Sequence, residues 1–256
     1  MNLAAQIAAY KERGFNDEQA KVITMMRVAA GVLFMDFPDS FLLFGGAALV
    51  LFHDSVRHSA DLDLLARAAE LPTPEELRAS LANGLAPAAE ALNLGPLQVE
   101  VTDDKIFVRQ RDNSLLFKVD ITRLGSVLES EVEEHTVEID GENFATVKAA
   151  SRDLLLLHKA ECFMLRKTMK ARDAFDIYRL RQSGVVLSQN LESHLEDTLM
   201  SDVLDATDID ERIAQVDEKR CSELRSRLPP EVFESLAKEK FGPLRDALQD
   251  LYRRWL

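Results

Sequence analysis

The chain has 256 residues, 46% hydrophobic and 29% charged, a balance ordinary for a soluble globular protein and enough to bury a substantial core as one large domain or two small ones. Its longest apolar run, Phe41 to Phe52, is too short for a bilayer and is broken by glycines, so no membrane association is expected. A net charge of −13 argues against indiscriminate nucleic-acid binding, because a phosphate polymer is repelled at long range.

In chain order, Leu3 to Arg13 reads as a helix, Gly14-Phe15-Asn16 as a turn, and Asp17 to Met35 as a second helix with Asn16 as its N-cap. No basic segment followed by an apolar one opens the chain, which fits a cytoplasmic location. Pro38 cannot continue the second helix and biases Phe37 toward an extended conformation. A buried strand from Phe41 then enters a tight turn at Gly45-Gly46, followed by an apolar helical segment, Ala47 to Phe52, and a strand through Asp61-Leu62-Asp63-Leu64-Leu65. Pro72-Thr73-Pro74-Glu75-Glu76 starts an Ala/Leu-rich helix that runs to about Leu94 and closes at Gly95-Pro96. Leu97 to Thr102, Lys105 to Gln110 and Leu115 to Thr122 are β-rich, and Thr136 to Ile139 and Phe144 to Val147 flank the turn dipeptide Asp140-Gly141. From Ser151 down to Trp255 only helices are expected. Cys162 falls in an apolar helical pattern and reads as a buried free thiol; Cys221 is the only other cysteine. The sequence thus predicts an α+β fold: a mixed β-sheet flanked by helices over residues 1–150, and an all-helical part over 151–256 that packs with it around an active-site cleft.

The stretch from Phe41 to Leu65 carries the chemistry. Glycine lets a backbone approach a bulky anion closely, which makes Gly45 and Gly46 a candidate phosphate-binding turn. On a strand, Asp61 and Asp63 point to one face, roughly 6 to 7 Å apart at Cα. Such a pair can hold Mg²⁺ ions about 3.5 to 4 Å apart, the arrangement that serves phosphoryl or nucleotidyl transfer. An isolated Asp-x-Asp more often caps a helix or sits in a solvated turn; order and context favour the metal. Apolar strand, Gly-Gly, helix, then Arg57-x-Ser59-x-Asp61-x-Asp63 resembles the nucleotidyltransferase signature, in the form found in AbiEii-type toxins of abortive-infection toxin–antitoxin systems. Ala47 stands where relatives often carry Ser or Thr, so phosphate binding would rest on backbone N–H groups and a helix N-terminus.

Two further segments extend the resemblance. Period-two alternation puts Lys118 and Asp120 on one strand face, and Asp120 matches the family's third acidic position by type and order; an edge-strand ion pair between Lys118 and Asp120 is the alternative. Between Lys148 and Arg181 there are nine basic residues against four acidic ones, a local basic island suited to a phosphate-bearing substrate, or else a solvated helix face of paired charges. Within it, Lys159 and Arg166 share a helical face, with Leu155, Cys162, Phe163 and Leu165 as an apolar stripe, and Asp173 and Asp176 share a face of the next helix. A Lys, an Arg, then Arg-Asp-x-x-Asp-Ile-Tyr-x-Leu is similar to the C-terminal motif of the AbiEii-type toxins, in which a lysine and an aspartate complete the active site.

The resemblance implies an Mg²⁺-dependent nucleotidyltransferase, with Mn²⁺ as an alternative ion. Asp61, Asp63 and Asp120 would hold metal, and Gly45, Gly46, Arg57, Ser59, Lys159, Arg166 and Asp173 would contact the NTP. Asp176, or less readily Asp173, would position Lys159 or act as a base; spacing does not separate the two. An RNA acceptor, the tRNA 3′ end in some relatives, and a protein antitoxin partner are implied as well. Transfer to a small molecule or protein, or a non-catalytic nucleotide-binding module, are the other readings. His53 and His58 are expected to be solvated loop residues.

Overall fold

Asn16 opens the longest helix through a capping box: its side chain accepts from the Gln19 N–H while Gln19 reaches back to the Asn16 N–H. The computed structural model describes residues 3–67, 71–123, 131–138, 144–201 and 205–253. It divides into two compact units, Met1–Ser151 and Arg152–Leu256.

The first unit carries helices α1 (Leu3–Glu12), α2 (Asp17–Asp36), α3 (Gly45–Phe52) and α4 (Pro74–Ala91). Its strands are β1 (Phe41–Phe44), β2 (Asp61–Ala66), β3 (Gln98–Val101), β4 (Lys105–Arg109), β5 (Leu115–Arg123), β6 (Val132–Glu138) and β7 (Phe144–Ala150). They form one mixed sheet in the order β3-β4-β5-β2-β1-β7-β6. β1 lies antiparallel to β2 and parallel to β7, and β2 lies parallel to β5. All four residues of β1 are buried, as a central strand requires. α2 buries Ile23, Met26, Val28 and Leu33, and α4 approaches it so closely that a Cβ on Gly84 would fall 2.5 Å from the Val32 side chain.

Local signals give the helices and most strands, with informative departures. α4 stops at Ala91 rather than Leu94 because Asn93 takes a left-handed conformation, φ +56°, and Leu94 turns back to hydrogen-bond Ala89. β6 starts at Val132, four residues before the expected Thr136, because Glu133 and Glu134 hide a strand that lies on the edge of the sheet, where charge faces water. The turn expected at Asp140-Gly141 lies outside the described residues, and so does Trp255.

The second unit consists, among the described residues, of α5 (Arg152–Leu165), α6 (Ala171–Gln182), α7 (Gln189–Ser201), α8 (Ala206–Ala214), α9 (Glu218–Cys221), a 3-10 turn at Ser222–Leu224, α10 (Pro230–Lys238) and α11 (Gly242–Tyr252). The buried Tyr252 hydroxyl donates to the Ala160 carbonyl at 2.8 Å, tying α11 to α5. The stripe expected on α5 is displaced: Leu155 and Phe163 are buried, but Leu165 is 41% exposed and Cys162 only half-buried. Both cysteines are free thiols, and burial, then Asp217 and Glu223, pushes the Cys221 thiol up to about 12. No described helix is long and apolar enough to cross a membrane.

Candidate active site

Parallel pairing of β2 with β5 sets Asp61 opposite Lys118 and Asp63 opposite Asp120. Leu62, Leu64 and Val119 bury themselves on the other face, which fixes the register and leaves three carboxylates and one ammonium on the near side. β5 is interior, between β4 and β2, so the alternative of an edge-strand pair is wrong about the edge but right about the pair. Lys118 Nζ lies 2.5 Å from Asp120 Oδ2 and 3.7 Å from Asp61 Oδ1. Burial alone would lower the Lys118 pKa, but the hydrogen bond to Asp120 and the charges of Asp61, Asp120 and Asp63 outweigh it and raise it.

Asp120 Oδ1 is buried and receives no hydrogen bond from any described residue. An uncompensated carboxylate oxygen beside two further aspartates is an oxygen-only donor set that fits a hard divalent cation. Lys118 occupies the same electrostatic position as such an ion. Lys118→Met is therefore expected to tighten Mn²⁺ binding by about tenfold, read by calorimetry on the full chain. Unchanged affinity would show that the three carboxylates do not converge on one ion.

The glycine pair is explained by side chains that the sequence did not place beside it. Gly45 has φ +65°, and a Cβ there would lie 2.1 Å from Asp63 Oδ2. A Cβ on Gly46 would lie 2.8 Å from both the Arg57 guanidinium and Ser59 Oγ. The pair thus lets Asp63, Arg57 and Ser59 close onto the turn. α3 begins at Gly45 with Phe44 as N-cap and no side-chain capping bond, so the helix N-terminus presents backbone N–H groups suited to an anion. Arg57 is only 2% exposed and donates to the His58 carbonyl; Ser59 is buried as well. Both brace the loop that feeds β2.

A second cluster lies in the helical unit. Lys159 Nζ on α5 is 3.0 Å from Asp176 Oδ2 and 3.5 Å from Asp173 Oδ1, both on α6, and Arg166 Nε is 3.5 Å from Asp173 Oδ2. Asp173 and Asp176 are at most 1% exposed and Lys159 5%. Part of the basic island is therefore an internal, charge-balanced network rather than a solvated face. Asp176 is the nearer partner of Lys159, while Asp173 is shared with Arg166. Arg212 on α8 caps the end of α5 through the Phe163 and Arg166 carbonyls, a contribution that no local sequence signal marks.

Beside this network, burial and then the Lys159 and Arg166 charges lower the His158 pKa to about 3. The unfolded chain would bind this proton near the ordinary histidine value of about 6.5, so stability is complete above that pH and falls as pH drops toward 3. Between pH 7 and 5 the wild type should lose about 1–2 kcal/mol more than His158→Gln, by urea denaturation. Equal losses would remove the effect from His158.

His53 departs from expectation. It is half-buried, with Nε2 3.2 Å from the Ala150 carbonyl, and not a solvated loop residue; His58 is half-buried too.

Solved structures share this mixed sheet flanked by helices. MenT4, a nucleotidyltransferase toxin from Mycobacterium tuberculosis H37Rv, aligns with TM-score 0.54 at 15% identity over 99% of this chain and 96% of its own. JHP933 from Helicobacter pylori aligns with TM-score 0.51 at 18% identity over 94% of this chain and 96% of its own. The chain belongs to the AbiEii nucleotidyl transferase toxin family of type IV toxin–antitoxin systems, whose model matches residues 30–253. It is accordingly a transferase enzyme. No curated protein matches the chain.

Proposed function

We propose that the protein moves a nucleotide from an NTP to a hydroxyl of an RNA acceptor, the tRNA 3′ end being the specific target, with Mg²⁺ held by Asp61, Asp63 and Asp120. The observation that carries this reading is Asp120 Oδ1, buried without a donor among the described residues, in register with Asp63. Mg²⁺ bound to these carboxylates supplies charge neutralisation at the α-phosphate. The chain's own residues do the rest. Gly45 and Gly46 open the turn so that Asp63 sits against the start of α3, whose N–H groups would receive the triphosphate. Arg57 and Ser59, packed on Gly46, hold that turn. Lys159 and Arg166 are assigned to the β- and γ-phosphates; the 3.0 Å contact with Asp176 supports Asp176 as the residue that positions Lys159, with Asp173 holding Arg166. The acceptor oxygen bonds to the α-phosphorus, its proton passes to solvent, and the bond from the α-phosphorus to the oxygen bridging to the β-phosphate breaks, releasing pyrophosphate.

A protein antitoxin as partner and a cytoplasmic site of action belong to the same reading and rest on the family. The test is incubation of the full chain with each α-labelled NTP and total RNA, with Mg²⁺ or with chelator. Label on RNA that depends on Mg²⁺ and is released by 3′-end digestion of tRNA is the expected result. Label on protein or on a small molecule would redirect the acceptor, and label transfer undiminished by chelator would overturn the metal assignment.

A further inference from the structure

We propose that His53, Glu133 and His135 form a second metal site, built for a transition ion such as Zn²⁺, that clips the far end of α3 to edge strand β6. One donor atom from each of the three residues lies within 4.8 Å of the others. Glu133 and His135 stand two apart on β6 and so share a face, and His135 Nε2 is 3.5 Å from Glu133 Oε2. Ligands at about 2.0–2.2 Å from a tetrahedral zinc stand about 3.3–3.5 Å apart, so that edge already has its bound length and the others need close by at most about 1.5 Å.

The Ala150 carbonyl can only accept, so at the 3.2 Å contact His53 Nε2 is the donor. Donation of the second ring N–H to a backbone carbonyl is the usual support behind a metal-bound histidine. His135 is stacked on Phe52 with ring centroids 4.4 Å apart at 15°, and meets the His53 ring edge-on at 5.5 Å. The Glu133 side chain is 44% exposed and that of His135 22%, so an ion can enter from solvent.

The donor set of two imidazoles and one carboxylate separates this site from the all-carboxylate one. Imidazole suits zinc and its neighbours, whereas carboxylate oxygens alone suit magnesium. β6 stands three strands away from β2, roughly 14 Å at ordinary strand spacing. The two sites share α3: Gly45 at its start touches Asp63, and His53 caps its end. A bound ion would hold that helix at the end opposite the catalytic turn, leaving a fourth coordination position for water.

The full chain, stripped with chelator and returned to Zn²⁺, is expected to retain one ion per chain after desalting, in the presence of excess Mg²⁺, with a raised melting temperature. His53→Ala and His135→Ala should each weaken Zn²⁺ binding about 100-fold, and Glu133→Gln, at an exposed side chain that folding does not need, about tenfold. Circular dichroism checks that each variant is folded. Asp63→Asn should keep its zinc whether or not the transferase reading stands. The proposal is overturned if the wild type retains no zinc, if folded Glu133→Gln and His135→Ala bind it unchanged, or if Asp63→Asn loses it.

Discussion

Asp63→Asn is expected to fold as the wild type does and to lose nucleotidyl transfer by about three orders of magnitude or more, a loss of several kcal/mol of transition-state stabilisation. The substitution conserves volume, so the packing of this side chain on Gly45, where a Cβ would come within 2.1 Å of Oδ2, is retained. What disappears is one of the negative charges that faces Asp120 across the β2–β5 pair. Initial rates of label transfer, with melting temperature as the control for folding, check the result. A folded Asp63→Asn protein within tenfold of the wild-type rate would mean that the chemistry happens elsewhere.

Lys159→Met is expected to be the most destabilising single change in the helical unit, costing about 3–5 kcal/mol, because it leaves Asp176 buried without its 3.0 Å partner. Arg166, 3.5 Å from Asp173, continues to compensate that carboxylate, which keeps the loss at the lower end of the range if the network relaxes. Urea denaturation measures it. Adding Asp176→Asn to Lys159→Met removes the buried charge that Lys159 balances and should recover much of the stability. Transfer activity should stay absent in the double variant if Lys159 acts on phosphate. Activity that returns together with stability would reduce Lys159 to a packing role.

Much of the carboxylate face is legible in the chain alone. Asp61-Leu62-Asp63 and Lys118-Val119-Asp120 alternate with a period of two, and their apolar partners are buried as that period demands. The glycine pair is legible as a tight turn but not as the seat of Asp63, because that contact depends on how β1 pairs with β2. Lys118 is visible on the correct face, yet its place between Asp61 and Asp120 depends on strand pairing. Leu165 and the first half of β6 depart from the sequence pattern for one reason: where a helix or strand lies at a surface, its apolar or charged pattern no longer reports its structure. The histidines show the same limit. His53 read as a lone loop residue because Glu133, His135 and the Ala150 carbonyl are far from it in the chain.

Helix starts, turns and strand faces were determined by the sequence itself, since capping, proline, glycine and hydrophobic period act over a few residues; Asn16, Thr73 and the β2 alternation are of this kind. Membership of the family, whose model matches residues 30–253, was also carried by the sequence. The tertiary structure alone decided that Asp63 faces Asp120, that Lys118 lies among the aspartates, that Lys159 is buried on Asp176, and that two histidines meet across α3 and β6. These are pairings between distant segments, set by which apolar faces bury together, and no local preference encodes them.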